Sequence, residues 1–167
     1  QYITQNYQGE MDFDLSKVKI FSIDIETTAD NGFPQVQNPI EQVLLITIQD
    51  ATTKRITTFG RKPFELGEHT KDFTVDYFYS ENESDMLRAF LGWWESNYPD
   101  VLTGWNSELF DLPYLVSRVD RILPDAEDER RRFSPFGLVH KKQFMVMGRE
   151  QIKYEVTGLA QLDYLDL

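Results

Sequence analysis

The chain has no cysteine, which excludes a disulfide framework and any thiolate metal site and fits a reducing compartment. No apolar run approaches the ~20 residues needed to cross a bilayer, so no membrane role is expected. Positive charge is scarce. Against 28 Asp and Glu stand 17 Lys and Arg, for a net charge of −11. This argues against a simple nucleic-acid-binding module, because DNA affinity rests largely on basic side chains neutralising phosphates. Internal repeats, low-complexity tracts and Gly/Ser linkers are also missing. The start, QYITQNYQGE, has neither the pattern of a signal peptide nor an initiator Met, and the chain reads as a piece of a longer one.

A hydrophobic content of 41% over 167 residues is enough for one domain with a real core and not comfortably enough for two. The charge is uneven. Residues 129–167 hold 7 Lys and Arg against 5 Asp and Glu, while residues 1–128 hold 10 against 23. A polyanion would meet the C-terminal end first.

Hydrophobic periodicity divides the chain. Residues 1–16 carry little pattern and read as an extended lead-in. Val18–Glu26 alternates as a strand, with Phe21, Ile23 and Ile25 on one face. ADNGFPQVQNP (29–39) is loop, and 41–50 with 54–60 form a hairpin about Ala51–Thr53. A short strand, Thr74–Tyr79, follows a second loop. Ser80 and Glu83 have capping-box spacing ahead of a helical stripe, Leu87, Phe90, Leu91, Trp94 and Tyr98, which Pro99 ends. DVLTGWN (100–106) is a strand, and a second helix begins near Pro113 and runs to Pro124. Runs 138–147 and 151–159 flank Gly148-Arg149-Glu150 as a hairpin. Strands followed by helix–strand–helix predict an α/β domain with a mixed sheet.

The wet face of the first strand carries Asp24 and Glu26, about 6–7 Å apart at their Cα atoms. Carboxylates that close repel, so one takes a proton or a cation sits between them, and their oxygens suit Mg²⁺ or Mn²⁺. Alone, Asp-x-Glu more often marks the polar outer face of a strand. Asp111 lies at a strand-to-helix turn, where it could complete an ion site or simply cap the helix. Asn106 suits a ligand contact or a plain turn, and Phe110 suits a core position better than a stacking surface.

Taken jointly, Asp24-x-Glu26 and, about 80 residues on, Asn106-x-x-x-Phe110-Asp111 resemble the first two motifs of the 3′→5′ proofreading exonuclease domain of family B DNA polymerases. The resemblance is strongest to the replicative polymerases of T-even-like bacteriophages. It is carried by FSIDIETTADNGFP (21–34), DVLTGWNSELFDLPYLVSRV (100–119) and LDYLDL (162–167). It implies an RNase H-like (DnaQ-like exonuclease) fold, with a mixed central sheet, flanking helices and a C-terminal β-hairpin. It also implies two divalent ions, Mg²⁺ or Mn²⁺, and two-metal hydrolysis of the terminal phosphodiester of a single-stranded 3′ primer end. The expected partners are DNA and the rest of a monomeric parent polymerase, in the cytoplasm of a phage-infected host.

By the same resemblance Asp24, Glu26 and Asp111 are metal-binding and catalytic. Thr27, Phe33, Asn106 and Phe110 contact the substrate, and Arg149 and Lys153, on the hairpin Val139–Val156, lie near DNA. The family pattern needs a fourth carboxylate, an Asp four residues after a Tyr, which this chain lacks. Residues 17–167 are therefore expected to be an exonuclease domain that stops before the third motif. Asp163 and Asp166 are candidates to substitute, and they read as structural and surface residues respectively. Two other readings stand beside this one. One is a different RNase H-like nuclease, and the other is a non-catalytic domain that keeps the fold.

Overall fold

Alternation on the first strand decides the architecture. Phe21, Ile23 and Ile25 are buried and Asp24 and Glu26 exposed along β1 (Ile20–Thr27). Successive side chains of a strand point to opposite faces, so one face of β1 is core and the other is left to the carboxylates. In this computed structural model the described residues are 14–65, 67–146 and 148–166, so residues 1–13 of the expected lead-in lie outside them.

The remaining strands are β2 (Val43–Asp50), β3 (Ile56–Gly60), β4 (Val75–Tyr79), β5 (Val101–Gly104) and β8 (Ala160–Asp163). With β1 they form one six-stranded sheet in the order β4-β3-β2-β1-β5-β8. β1 runs antiparallel to β2 and parallel to β5, so the mixed sheet is as expected. β6 (Val139–Val146) and β7 (Arg149–Val156) make the separate hairpin.

Helix α1 (Glu83–Glu95) buries Leu87, Phe90, Leu91 and Trp94 of the expected stripe, with Met86 beside them, against β2, β3 and β4, and it ends before Tyr98. Helix α2 (Asp111–Ile122) packs on β1 and β7. Phe21 stacks on Trp93 at 5.8 Å between ring centres, so the core face of β1 is the helical face. Asp24 and Glu26 look out from the other side. A short helix, α3 (Ala126–Arg131), follows α2.

Several local expectations are corrected. The cap of α1 is Asn82, whose side chain accepts from the Asp85 N–H at 2.9 Å, rather than Ser80. Glu83 is drawn inward instead. Its Oε1 accepts from Arg118 Nε and its Oε2 from Arg118 Nη2, both at 2.7 Å, and Oε1 also accepts from the Val43 N–H at 2.8 Å. Arg118 Nη1 donates to the Pro39 carbonyl at 2.7 Å. A paired carboxylate outweighs the capping role because burial demands that every donor and acceptor be met. Residues 160–163 form β8, a strand not expected from the sequence, and α3 is likewise an addition to the expected elements. The hairpin turn is tighter than expected, with Val146 paired to Arg149 and Gly148 at φ +76°.

The Glu83–Arg118 pair is buried on both sides. Removing one partner strands the other, a loss of roughly 3–5 kcal/mol. Arg118→Leu should lower the urea midpoint by that equivalent. A loss under about 1 kcal/mol would show that water reaches Glu83 and that the network contributes little.

Candidate active site

The site begins with a mismatch of strand lengths. β5 pairs with β1 only as far as Ser22 opposite Thr103, and then ends at Gly104. β1 runs on, and the Ile25 N–H, which points toward the β5 side, has no ladder partner there. Asp111 supplies one, with its Oδ1 accepting from the Ile25 N–H at 3.0 Å. Asp111 is the first residue of α2 and is 4% exposed, and Phe110 occupies the cap position without a side-chain cap bond. The simple capping role for Asp111 is therefore not realised. The chain can press this close to β1 because residue 104 is glycine. A Cβ there would lie 2.8 Å from the Ile23 carbonyl oxygen and 2.7 Å from Ser107 Cβ.

The Ile25 N–H lies on the backbone between Asp24 and Glu26, so the bond brings Asp111 to the strand that carries both. Burial is the main reason the Asp111 carboxyl is pushed up to about 6. The Ile25 N–H opposes that rise, and the charges of Asp24 and Asp163 add to it. A buried carboxylate beside another carboxylate is relieved by a proton or by a cation. The donor set is all hard oxygen, which suits Mg²⁺ or Mn²⁺. Among the described residues, however, no three His, Asp or Glu side chains already stand as a closed ion-binding group. The β1–β2 register slips between Glu26 and Thr27, where Leu44 is the extra residue of a bulge. Thr27 is half-buried at that irregularity.

Glu41 fixes the loop that leaves β1. Its carboxylate accepts from the Thr28 hydroxyl, the Asp30 N–H at 3.0 Å, the Asn31 N–H at 2.7 Å and Asn31 Nδ2 at 3.0 Å. Its own carbonyl accepts from the Tyr114 hydroxyl at 2.7 Å. These donors, Thr28 foremost, hold the Glu41 carboxyl down at about 2. The same loop carries Phe33, which is 80% exposed and lies 5.8 Å from the Phe110 ring. Phe110 in turn packs on Tyr114 at 5.5 Å, so it is a half-buried ring with one face on the core.

Phe33, Asn106 and Phe110 line one open cleft of about 840 Å³, closed on its far side by Glu150 and Gln151 of β7. Gln37 Nε2 donates to the Glu150 carbonyl and ties the loop to the hairpin. Asn106 sits at φ +58°, a left-handed turn position that Asn tolerates, and its N–H donates to Asp163 Oδ1 at 2.9 Å. Lys153 does not line this cleft and pairs with Glu108 on the other side of the turn. Arg149 opens β7, and its side chain lies outside the described set. That of Asp166 does too.

Sequence reasoning missed Glu41, which no motif flags, and the Glu83–Arg118 pair. The only signal for Glu41 was an acidic residue just ahead of the apolar run of β2.

A mixed sheet whose first strand ends in two carboxylates, answered by a third where a helix leaves the neighbouring parallel strand, defines an RNase H-like α/β domain. The chain belongs to the exonuclease domain of family B DNA polymerases, the family whose model matches residues 1–167. It is 32% identical to the DNA-directed DNA polymerase of Enterobacteria phage T4 and 27% identical to that of Escherichia phage RB69, each across 99% of this chain. To the DNA polymerase delta catalytic subunit of Drosophila melanogaster it is 26% identical, also across 99%. The chain spans 20% of the length of each phage protein and 15% of the fly protein. Exonuclease domains of this family generally use divalent metal ions. Among the described residues no helix is long and apolar enough to cross a membrane.

Two pH effects follow for the metal-free protein. The Asp111 carboxyl binds its proton more tightly folded, at about 6, than at its ordinary 3.8. Its contribution is therefore full below about pH 4 and is lost as pH rises through about 6, a swing of at most about 3 kcal/mol. With a chelator present, Asp111→Asn should be the more stable protein at pH 7.5, with the advantage vanishing near pH 4. Lower stability at pH 7.5 would mean the ionised carboxylate is better satisfied than its contacts suggest. Glu41 acts in the opposite sense. Its contribution is present above its ordinary 4.5 and is lost as pH falls toward about 2. Glu41→Gln should flatten that acid limb in a pH-dependent melting series, and an unchanged limb would refute the assignment.

Proposed function

We propose that this chain hydrolyses the terminal phosphodiester at the 3′ end of single-stranded primer DNA, proofreading for a parent polymerase that extends well beyond it. The observation that carries this reading is the bond from the Ile25 N–H to Asp111, which draws the second motif to the strand holding Asp24 and Glu26. Supporting it, the aromatic and amide side chains of Phe33, Phe110 and Asn106 lie along one cleft. Exposed rings offer stacking surfaces that accept any base, as a sequence-blind exonuclease needs.

In this reading Asp24, Glu26 and Asp111 hold Mg²⁺ or Mn²⁺. When bound, the ions lower the pKa of water and offset charge on the leaving 3′ oxygen. The chain's own residues do the rest. Asp111 Oδ1 is held by the Ile25 N–H, so the carboxylate keeps one direction against the strand. Thr27, half-buried where the register slips after Glu26, is assigned to the substrate by its place at the strand end. Phe33 and Phe110 hold the last bases unpaired, and Asn106 offers an amide to the same strand. Arg149 and Lys153 bring positive charge to the hairpin, with Lys153 released from Glu108 when a phosphate competes for it. The acidic balance of the chain is tolerable because the parent delivers the primer end at high effective concentration.

The second reading, a domain that keeps the fold without catalysis, is favoured by one observation: the carboxylates form no closed ion site among the described residues. The two readings diverge in the full-length parent. Asp24→Ala/Glu26→Ala, and separately Asp111→Ala, should lower the exonuclease rate on single-stranded DNA at least about 100-fold and leave primer extension unchanged. Exonuclease surviving both changes would overturn the catalytic assignment.

A further inference from the structure

Asp163 is an acidic residue next to the site with no role in the chemistry above. It closes β8, opposite Gly104 at the end of β5, and is 5% exposed. Its Oδ1 accepts from the Asn106 N–H and the Leu165 N–H, both at 2.9 Å, and its Oδ2 accepts from the Glu108 N–H at 3.0 Å. Both carboxylate oxygens are thus committed to backbone donors, in contrast to Asp111, where one oxygen makes the Ile25 bond. Burial raises the Asp163 pKa, but the N–H groups of Leu165, Glu108, Asn106 and Ser107 outweigh it, and the carboxyl sits below its ordinary value.

The turn it grips needs gripping. Asn106 holds a left-handed conformation that costs a non-glycine residue free energy, and its carbonyl accepts from the N–H of Leu109 at 3.2 Å and of Phe110 at 2.9 Å. Asn106 and Phe110 both stand on this turn, and the Phe110 ring also packs on Phe33 and Tyr114. β8 stands on one side of the turn and β1, through Asp111, on the other.

We propose that Asp163 is a positioning residue of the exonuclease site. It fixes the 105–110 turn so that Asn106 and Phe110 face the cleft, and it ligates no metal. The assignment deepens the exonuclease reading and rests on it. A residue of this kind sets how well the strand is held, whereas a ligand sets the rate once the strand is held.

The test is single-turnover digestion of a single-stranded oligonucleotide with Mg²⁺ by the full-length parent polymerase, titrating DNA. Asp163→Asn keeps one acceptor oxygen and turns an amide toward the Glu108 N–H. It should raise the half-saturating DNA concentration about five- to tenfold and keep the saturating rate within about threefold. Asp163→Ala should go further in the same direction. In a Phe110→Ala background, Asp163→Asn should add less than about twofold, because the ring it aims is gone. A saturating rate down about 100-fold with half-saturation unchanged would make Asp163 a ligand and overturn the proposal. Equal loss in both parameters alongside a lowered melting temperature, or full additivity with Phe110→Ala, would reduce it to general stability and overturn it equally. If Asp163→Ala fails to fold, the Asn variant and its cycle decide. A wild-type enzyme without exonuclease activity would instead refute the exonuclease reading itself.

Discussion

The domain turns on one unpaired backbone donor. β1 outlasts β5, so the Ile25 N–H would be buried without a partner, and an orphaned donor costs about 1–3 kcal/mol. A side chain from the helix after β5 meets it, and Asp111 is that side chain. The start of α2 is thereby set against the end of β1, and with it Tyr114 on the Glu41 carbonyl and Arg118 on the Pro39 carbonyl. These three positions fall on one side of α2 at roughly helical spacing, so a single helix face secures the strand, the loop and the buried ion pair.

Two buried carboxylates show what neighbouring donors decide. The Glu41 carboxyl is held down at about 2 by its donors, Thr28 foremost, whereas the Asp111 carboxyl is pushed up to about 6, chiefly by burial. Glu41 sits among four donors, whereas Asp111 has the Ile25 N–H and faces the charge of Asp24. The first is a finished structural joint. The second is electrostatically unfinished, which is the condition the proposed cation site calls for.

Much of this was legible in the sequence where the signal is local. Period-two alternation pointed to β1, the helical stripe to α1, and the family motifs named Asp24, Glu26, Asn106, Phe110 and Asp111 as candidates, of which Asp111 is bonded to the strand of Asp24 and Glu26. β8 escaped because it is four residues long at a sheet edge and leaves Leu162 exposed, so it lacks the apolar alternation that marks a strand. The Asn82 cap escaped because Ser80 offers the same chemistry two residues earlier, and only the burial of Glu83 decides between them. Glu41 acts on backbone ten and eleven residues away, which no local pattern records.

The hairpin has a further, mechanical consequence. Ile152, Tyr154 and Val156 are 2–3% exposed, so β7 is clamped into the core over its second half, and Tyr154 is also tied to Ser117 at 3.2 Å. Toward the turn Phe144 and Met145 are exposed, and the Gln37 bond to the Glu150 carbonyl joins that end to the loop before it. The arrangement is a cantilever, built in at the root and, among the described residues, tied near its tip by the Gln37 side chain. A beam of that kind deflects most at the free end. The side of the cleft between the 33–37 loop and β7 is accordingly joined, among the described residues, at this amide hydrogen bond, far from the packed root of the hairpin.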